Sequence, residues 1–354
     1  MVRRHGTVCL VILAACALVA TAGGPPPPAA YPAGPTRGGL NVVLPYYPAS
    51  PRAAGMGLAT VAVGGVDSHN PAALGFAKKI DIVADYGRMS FDHGPDLDIG
   101  HTAIVVPTPK LGGFTKIMMM GIRTRHDDPS RLPGSAGGTY IWGRQFGIAS
   151  GVEVPLPDKI PGRLALGFAG FPYDPSEVRL KAGGLRTAQG RGQSQIGSIR
   201  LGTIYQPIEQ VSVGAEFTHI KDYVRNKVLI VPPTTYLRQN SNYYVNLWTV
   251  GVSVQPDDKT TIGIQHVFGR AQGQGIRANY DIFSAGIERR VPVNEEIGLA
   301  LRTGINDGSP TFGLGVNLPH GLRVDYALLV HYGEQVKSAF GHGDLHIIGV
   351  GKSF

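Results

Sequence analysis

Residues able to do chemistry are few and scattered. No HExxH, GxSxG, P-loop or strand-coupled GxGxxG occurs in the 354 residues. A hydrolase on a barrel needs a serine activated by a histidine. Ser284 and His266 supply the residue types, but nothing in their spacing selects them. His342, Asp344 and His346 put three metal-ligating types at alternate positions, which a strand turns to one face. That spacing suits a rim ion site, or more simply a polar row facing a lumen. Cys9 and Cys16, the only cysteines, both lie in an apolar leader, so the chain beyond it has no disulfide framework and no thiolate site. This inventory points away from an enzyme and implies no metal and no cofactor.

The leader sets the compartment. Arg3, Arg4 and His5 precede the apolar run Val8 to Val19, and Ala20-Thr21-Ala22 is a small-x-small cleavage site, so residues 1–22 read as a signal peptide. The run is shorter than the ~20 residues a membrane helix needs. Leu13-Ala14-Ala15-Cys16 also fits a lipoprotein box, with Cys16 as a lipidated N-terminus. That cut would leave an apolar ALVATA tail, which favours cleavage after Ala22. Either cut exports the chain. Residues 23–48 form a Pro-rich linker.

Composition narrows the class. Glycine makes up 50 of 354 residues and charged residues only 16%, against norms of about 7% and about 25%. A soluble domain carries more charge; a barrel whose outer face meets lipid does not. The net charge of +8 comes with no basic motif or aromatic-basic platform, which argues against nucleic acid.

From residue 79 to 354 the chain alternates with period two between turns, predicting fourteen antiparallel strands closed into a transmembrane β-barrel. Pro107–Gly112, Pro155–Gly162, Pro207–Gln210, Pro256–Asp258, Pro292–Glu295 and Pro319–Gly321 read as short turns. Longer polar connections read as loops, among them Asp174–Ser194, Asp222–Asn242 and Arg270–Asn279. Short turns alternating with long loops is the asymmetry of an outer-membrane barrel, with the long loops outside. In Leu322–Val330 every second residue is apolar while Arg323 and Asp325 take the other face. Arginine at Val324 or Leu328 is therefore expected to cost far more than Asp325→Asn. The last strand ends in Phe354 with Ile348 and Val350 on its face, which looks like an assembly signal for barrel assembly machinery.

Residues 49–78 precede the first strand and are almost free of charge. Arg52-Ala53-Ala54-Gly55-Met56-Gly57, followed by Ala59–Gly65 and Asn70-Pro71-Ala72, resembles the N-terminal signature of the FadL-like outer-membrane family, which includes channels for long-chain fatty acids and aromatic hydrocarbons and PorV-type secretion proteins. The chain departs from the pattern at Leu58, where the family has glycine, and at Gly64-Gly65-Val66. The resemblance implies a fourteen-stranded barrel with this segment folded inside as a hatch. It also implies passive uptake of hydrophobic or amphipathic small molecules, or alternatively a PorV-like secretion component with secretion-system partners. The physical requirement agrees: a segment threaded into a lumen needs small side chains and few charges to desolvate.

For a hydrophobic ligand, Val228-Leu229-Ile230-Val231 with Tyr223 and Tyr236 reads as an apolar capture loop. Arg179, Lys181, Arg186 and Arg191 on the preceding loop fit a ligand carboxylate or, better, lipopolysaccharide phosphates. Outer-membrane lipid is the remaining expected partner.

Overall fold

The computed structural model describes residues 50–91, 96–108, 113–125, 139–181, 188–230, 235–273, 276–332 and 342–354. Over 122–125, 139–145, 172–181, 188–196, 222–230, 235–241, 243 and 276–278 it describes backbone alone. The signal peptide and linker expected over 1–48 lie outside the described residues.

A helical turn, α1 (Pro51–Gly55), and a 3-10 turn (Pro71–Phe76) precede fourteen strands. These are β1 (Asp81–Phe91), β2 (Asp96–Thr108), β3 (Gly113–Arg125), β4 (Thr139–Val154), β5 (Arg163–Lys181), β6 (Ala188–Ile208) and β7 (Val211–Ile230). The second half comprises β8 (Thr235–Asp257), β9 (Thr260–Gly273), β10 (Ile276–Pro292), β11 (Gly298–Asn306), β12 (Ser309–Asn317), β13 (Leu322–Leu329) and β14 (Gly343–Ser353). Each strand pairs antiparallel with its sequence neighbours, and β1 pairs with β14, Asp81 opposite Ser353, so the sheet closes. Closure leaves no strand edge unpaired in hydrocarbon. The expected fold class holds.

Alternation sorts the two faces. Ile82, Ile104, Met119, Leu201, Trp248 and Leu314 point outward and stand about half exposed, forming the apolar belt that a bilayer covers. Val324 and Leu328 face outward and Asp325 inward, as the alternation predicts.

The strands on one side overrun their expected ends. β5 to β8 are 19, 21, 20 and 23 residues long and take in most of the stretches that read as loops over Asp174–Ser194 and Asp222–Asn242. The polar residues there mark where the bilayer ends, not where the hydrogen-bond ladder ends; beyond the hydrocarbon both faces tolerate polarity. By contrast β11 and β12 have nine residues each and turn at Asp307-Gly308. Three register shifts accommodate prolines: Pro172 between Phe171 and Asp174, Pro207 between Tyr205 and Ile208, and Pro256 between Val254 and Asp257. A bulge is where a strand can hold a residue with no N–H to donate.

Candidate functional site

The segment from Ser50 to Phe76 lies within the barrel. α1 packs on β11 to β14, and the 3-10 turn packs on β3 to β6 across the lumen. Local sequence builds both turns. Ser50 caps α1, its Oγ accepting from the Ala53 N–H at 3.1 Å, with Pro51 in the first turn where no donor is needed. Asn70 caps the second turn, its Oδ1 accepting from the Ala72 N–H at 3.0 Å, again followed by proline. The Asn70 amide also donates to the carbonyls of Val61 (2.8 Å), Thr203 (3.1 Å) and Ala215 (3.3 Å), stitching the segment to β6 and β7. Pro71 and Ala72 lie flat against Gly167 of β5, where any Cβ would strike their backbone.

Between the two turns the main chain bends sharply. Gly57 has φ +62°, and a Cβ there would meet the carbonyl oxygens of Ile305 and Ala285. Leu58 follows with φ +67°. This is the position where the chain departs from the family signature by lacking glycine, and the left-handed backbone costs a leucine about 1–2 kcal/mol. Its side chain is buried among Met89, Ile99, Leu329 and Leu345, which offsets that cost by a comparable amount, about 1.5–3 kcal/mol.

Polar side chains from the wall satisfy the segment's backbone. Gln265 Oε1 accepts from the amides of Thr60 (3.0 Å) and Val61 (3.1 Å). Thr311 Oγ1 donates to Gly55 O at 3.1 Å, and Lys116 Nζ to Val66 O at 3.1 Å. Met56 is wholly buried, its backbone against Gly286.

The charged residues form one closed ring. Arg52 donates to both oxygens of Glu288 at 2.9 and 3.0 Å, and Glu288 accepts from Arg302 Nε at 2.7 Å. Arg302 reaches Asp325 at 2.6 Å, and Arg323 lies 3.8 Å from the same carboxylate. Arg323 grips both oxygens of Asp67 at 3.0 and 3.1 Å, and Asp67 lies 3.7 Å from Arg52, where the ring began. Two members belong to the segment; the other four come from β10, β11 and β13. Burial alone would raise the Asp67 carboxyl, but the guanidiniums of Arg323 and Arg52 outweigh it and hold it at about 2. Burial likewise opposes the charge of Arg52, and Glu288 and Asp67 more than restore it, so its pKa is raised. Sequence reasoning missed this ring. The signal was there: Glu288, Arg302, Arg323 and Asp325 are charges at inward positions of a barrel wall whose inner face is mostly small or neutral.

On the side of the long strands the lumen turns apolar. Ile220, Val245, Leu247, Val267, Tyr280 and Ile282 of β7 to β10 form a buried cluster that contains no residue of the segment. It stands further from the short turns than Gly214, Gly251, Gly263 and Gly286, the glycines of those strands that meet the segment.

The residues read as an apolar capture loop fall mostly on strands. Tyr223, Val228, Leu229 and Ile230 belong to β7 and Tyr236 to β8, while Val231 lies outside the described residues. Arg179 and Lys181 lie on β5 and Arg191 on β6, not on a loop, and Arg186 lies outside the described residues. Ser284 and His266 are on opposite faces of the wall: Ser284 is in the lumen beside Asn306 at 2.8 Å, and His266 is on the outer face, 2.5 Å from Asp281. They cannot act as a pair. His342, Asp344 and His346 take separate partners: His342 stacks on His331 at 4.4 Å, Asp344 accepts from the His331 amide at 2.9 Å, and His346 meets the Tyr326 hydroxyl at 2.7 Å. The Phe354 amide donates to Ile80 O at 2.9 Å, so the last residue fastens beside the first strand.

No family model and no curated relative matches the chain. Solved structures do. A FadL homologue of Pseudomonas aeruginosa aligns over 87% of this chain and 98% of its own, with 10% identity and a TM-score of 0.55. The Pseudomonas putida toluene transporter TodX aligns over 87% of this chain and 97% of its own, with 12% identity and a TM-score of 0.48. At such identity the likeness is one of fold, and the fold of this chain is that of a FadL-like outer-membrane β-barrel.

Proposed function

We propose that the protein is an outer-membrane channel for passive uptake of hydrophobic or amphipathic small molecules, with residues 49–78 acting as its hatch. The observation that carries this reading is the apolar lumen surface of Ile220, Val245, Leu247, Val267, Tyr280 and Ile282 on the outer side of the segment. A channel for hydrophilic solutes lines its lumen with polar groups; this one offers a greasy surface leading to a plug. On this reading Val228 and Ile230, further along β7 from the short turns, receive ligand from outside. A carrier role in protein secretion is the second reading that the sequence resemblance implies, but no observation in the lumen favours it.

Deleting Arg52 to Ala72 tests the hatch. No residue of the deletion belongs to a strand, so the ladder is kept. Single-channel conductance in planar bilayers is expected to rise from near zero to a steady open level, with uptake of hydrophobic ligand losing selectivity. A deletion protein that assembles with heat-modifiable migration yet stays closed to small solutes would overturn the hatch. Mass spectrometry of ligand retained by the purified full-length protein tests the substrate class.

A further inference from the structure

Just beyond the inserted segment the lumen face divides across the strands. In one register row Glu216 of β7 stands level with Thr249 of β8, Val267 of β9 and Ile282 of β10. In the next row from the short turns Arg200 of β6 stands level with Thr218, Leu247 and Tyr280. The row on the near side, Gly214, Gly251 and Gln265, is the one that meets Val61 of the segment. The two rows thus begin polar on β6 and β7 and end in the apolar cluster on β9 and β10. Three strand spacings of about 4.8 Å separate Glu216 from Ile282.

The polar half is incompletely paired. Glu216 is buried, and its Oε1 accepts from the Thr218 hydroxyl at 2.9 Å, but its Oε2 has no hydrogen-bond partner among the described residues. Arg200 donates from Nη1 to His69 Nδ1 of the segment at 3.0 Å, and its guanidinium carbon lies 5.4 Å from the Phe171 ring centroid. Its Nε is also buried and has no partner among the described residues. Arg200 stands opposite Thr218 and Glu216 opposite Gly202, so the two are diagonal neighbours on one face of the β6–β7 ladder. Each side chain is fixed at one end, and each keeps one polar atom unused. Elsewhere in the lumen Glu288 and Asp67 have both carboxylate oxygens bonded, so an open pair is not the habit of this barrel. Buried polar atoms are nearly always paired, and two orphans on neighbouring side chains point to a partner from outside the chain. That partner must give a hydrogen bond to Oε2 and take one from Nε. A carboxylate has none to give and is repelled by Glu216. An ammonium can take none and is repelled by Arg200, and a hydrocarbon does neither. A hydroxyl does both with a single oxygen.

We propose that Arg200 and Glu216 hold the hydroxyl of a neutral, otherwise apolar molecule whose body lies on Leu247, Val267 and Ile282. The inference rests on the uptake reading above and names its substrate class: apolar alcohols, not plain hydrocarbons or carboxylates. Purified full-length protein is equilibrated with an equimolar mixture of 1-dodecanol, dodecanoate and dodecane, and the ligand retained after washing is quantified by mass spectrometry. Wild-type protein is expected to retain the alcohol at least about tenfold over each of the other two, because a buried site matched to a hydroxyl excludes analogues that leave its polar atoms unpaired. Glu216→Leu with Arg200→Met removes both polar partners together and should erase that preference, dodecanol falling about tenfold relative to dodecane. Equal retention of alcohol and alkane by wild type, a result that requires no variant to fold, would overturn the proposal and leave hydrophobic uptake standing. A wild-type preference for dodecanoate would overturn it as well, as would a double variant that still prefers the alcohol. Retention of none of the three would defeat the uptake reading itself, and the proposal with it.

Discussion

At the scale of single residues, the ion-pair ring governs how firmly the segment sits. Asp67 is a depressed carboxylate, so it contributes stability that is complete above its unfolded value, about 3.9, and lost as pH falls through its folded value of about 2. Docking of the segment should therefore hold down to about pH 4 and fail between pH 4 and 2. Site-directed spin labels at Ser68 would report mobility rising over that window; mobility rising already at pH 6 would mean that Asp67 does not hold the segment. The ring also explains which part of the site was legible in the sequence. Gly57 and Asn70 follow from signature and turn chemistry, because their demands are local. Pairing of Asp67 with Arg323 spans 256 positions, and only the closed register brings the two together.

At the scale of elements, the alternation within β13 sets the costs of substitution. Arginine at Val324 or Leu328 would put a charge into the lipid belt, at about 2–4 kcal/mol near the midplane. Asp325→Asn, expected from the strand pattern to be cheap because it faces the lumen, is not cheap. Asp325 is buried against Arg302 at 2.6 Å, and although Glu288 still holds Arg302 and Asp67 still holds Arg323, losing that charged hydrogen bond costs about 1.5–3 kcal/mol. Urea titration of refolded protein in bilayers should thus show comparable losses for Val324→Arg and Asp325→Asn; a loss for Asp325→Asn under about 1 kcal/mol would mean that the ring adds nothing. The sequence pattern reveals which face a residue takes, since period two is a property of one strand. It does not reveal what that residue meets inside, which depends on a segment some 250 positions away. Strand ends were hidden for a related reason. β5 to β8 continue past the bilayer, where polarity no longer distinguishes strand from loop.

At the scale of the molecule, the strand count, the closure and the inserted segment could all be read from turns, alternation and a family signature. The unequal height of the wall could not, because it lies in polar stretches whose sequence carries no period. One feature of the whole has a mechanical meaning. Only Lys78, Lys79 and Ile80 join the segment, which ends near Ala77, to β1. Three residues reach about 10 Å at full stretch, and Ile80 is pinned by Phe354 at 2.9 Å while β1 is laddered on both sides. At this end the segment is thus held on a short leash, and a swing of the segment away from the wall is expected to pivot about residues 78–80. The limb far from that pivot, Ser50 to Leu58, travels the greatest arc, and it rests against β11 to β14. Native-state hydrogen exchange should find the amides of Ala54 to Leu58 opening before those of Ala72 to Ala77, and the reverse order would place the pivot elsewhere. Swinging in this way, the segment parts first from the wall of β11 to β14, so the first gap available to a passing molecule runs along that low side of the barrel.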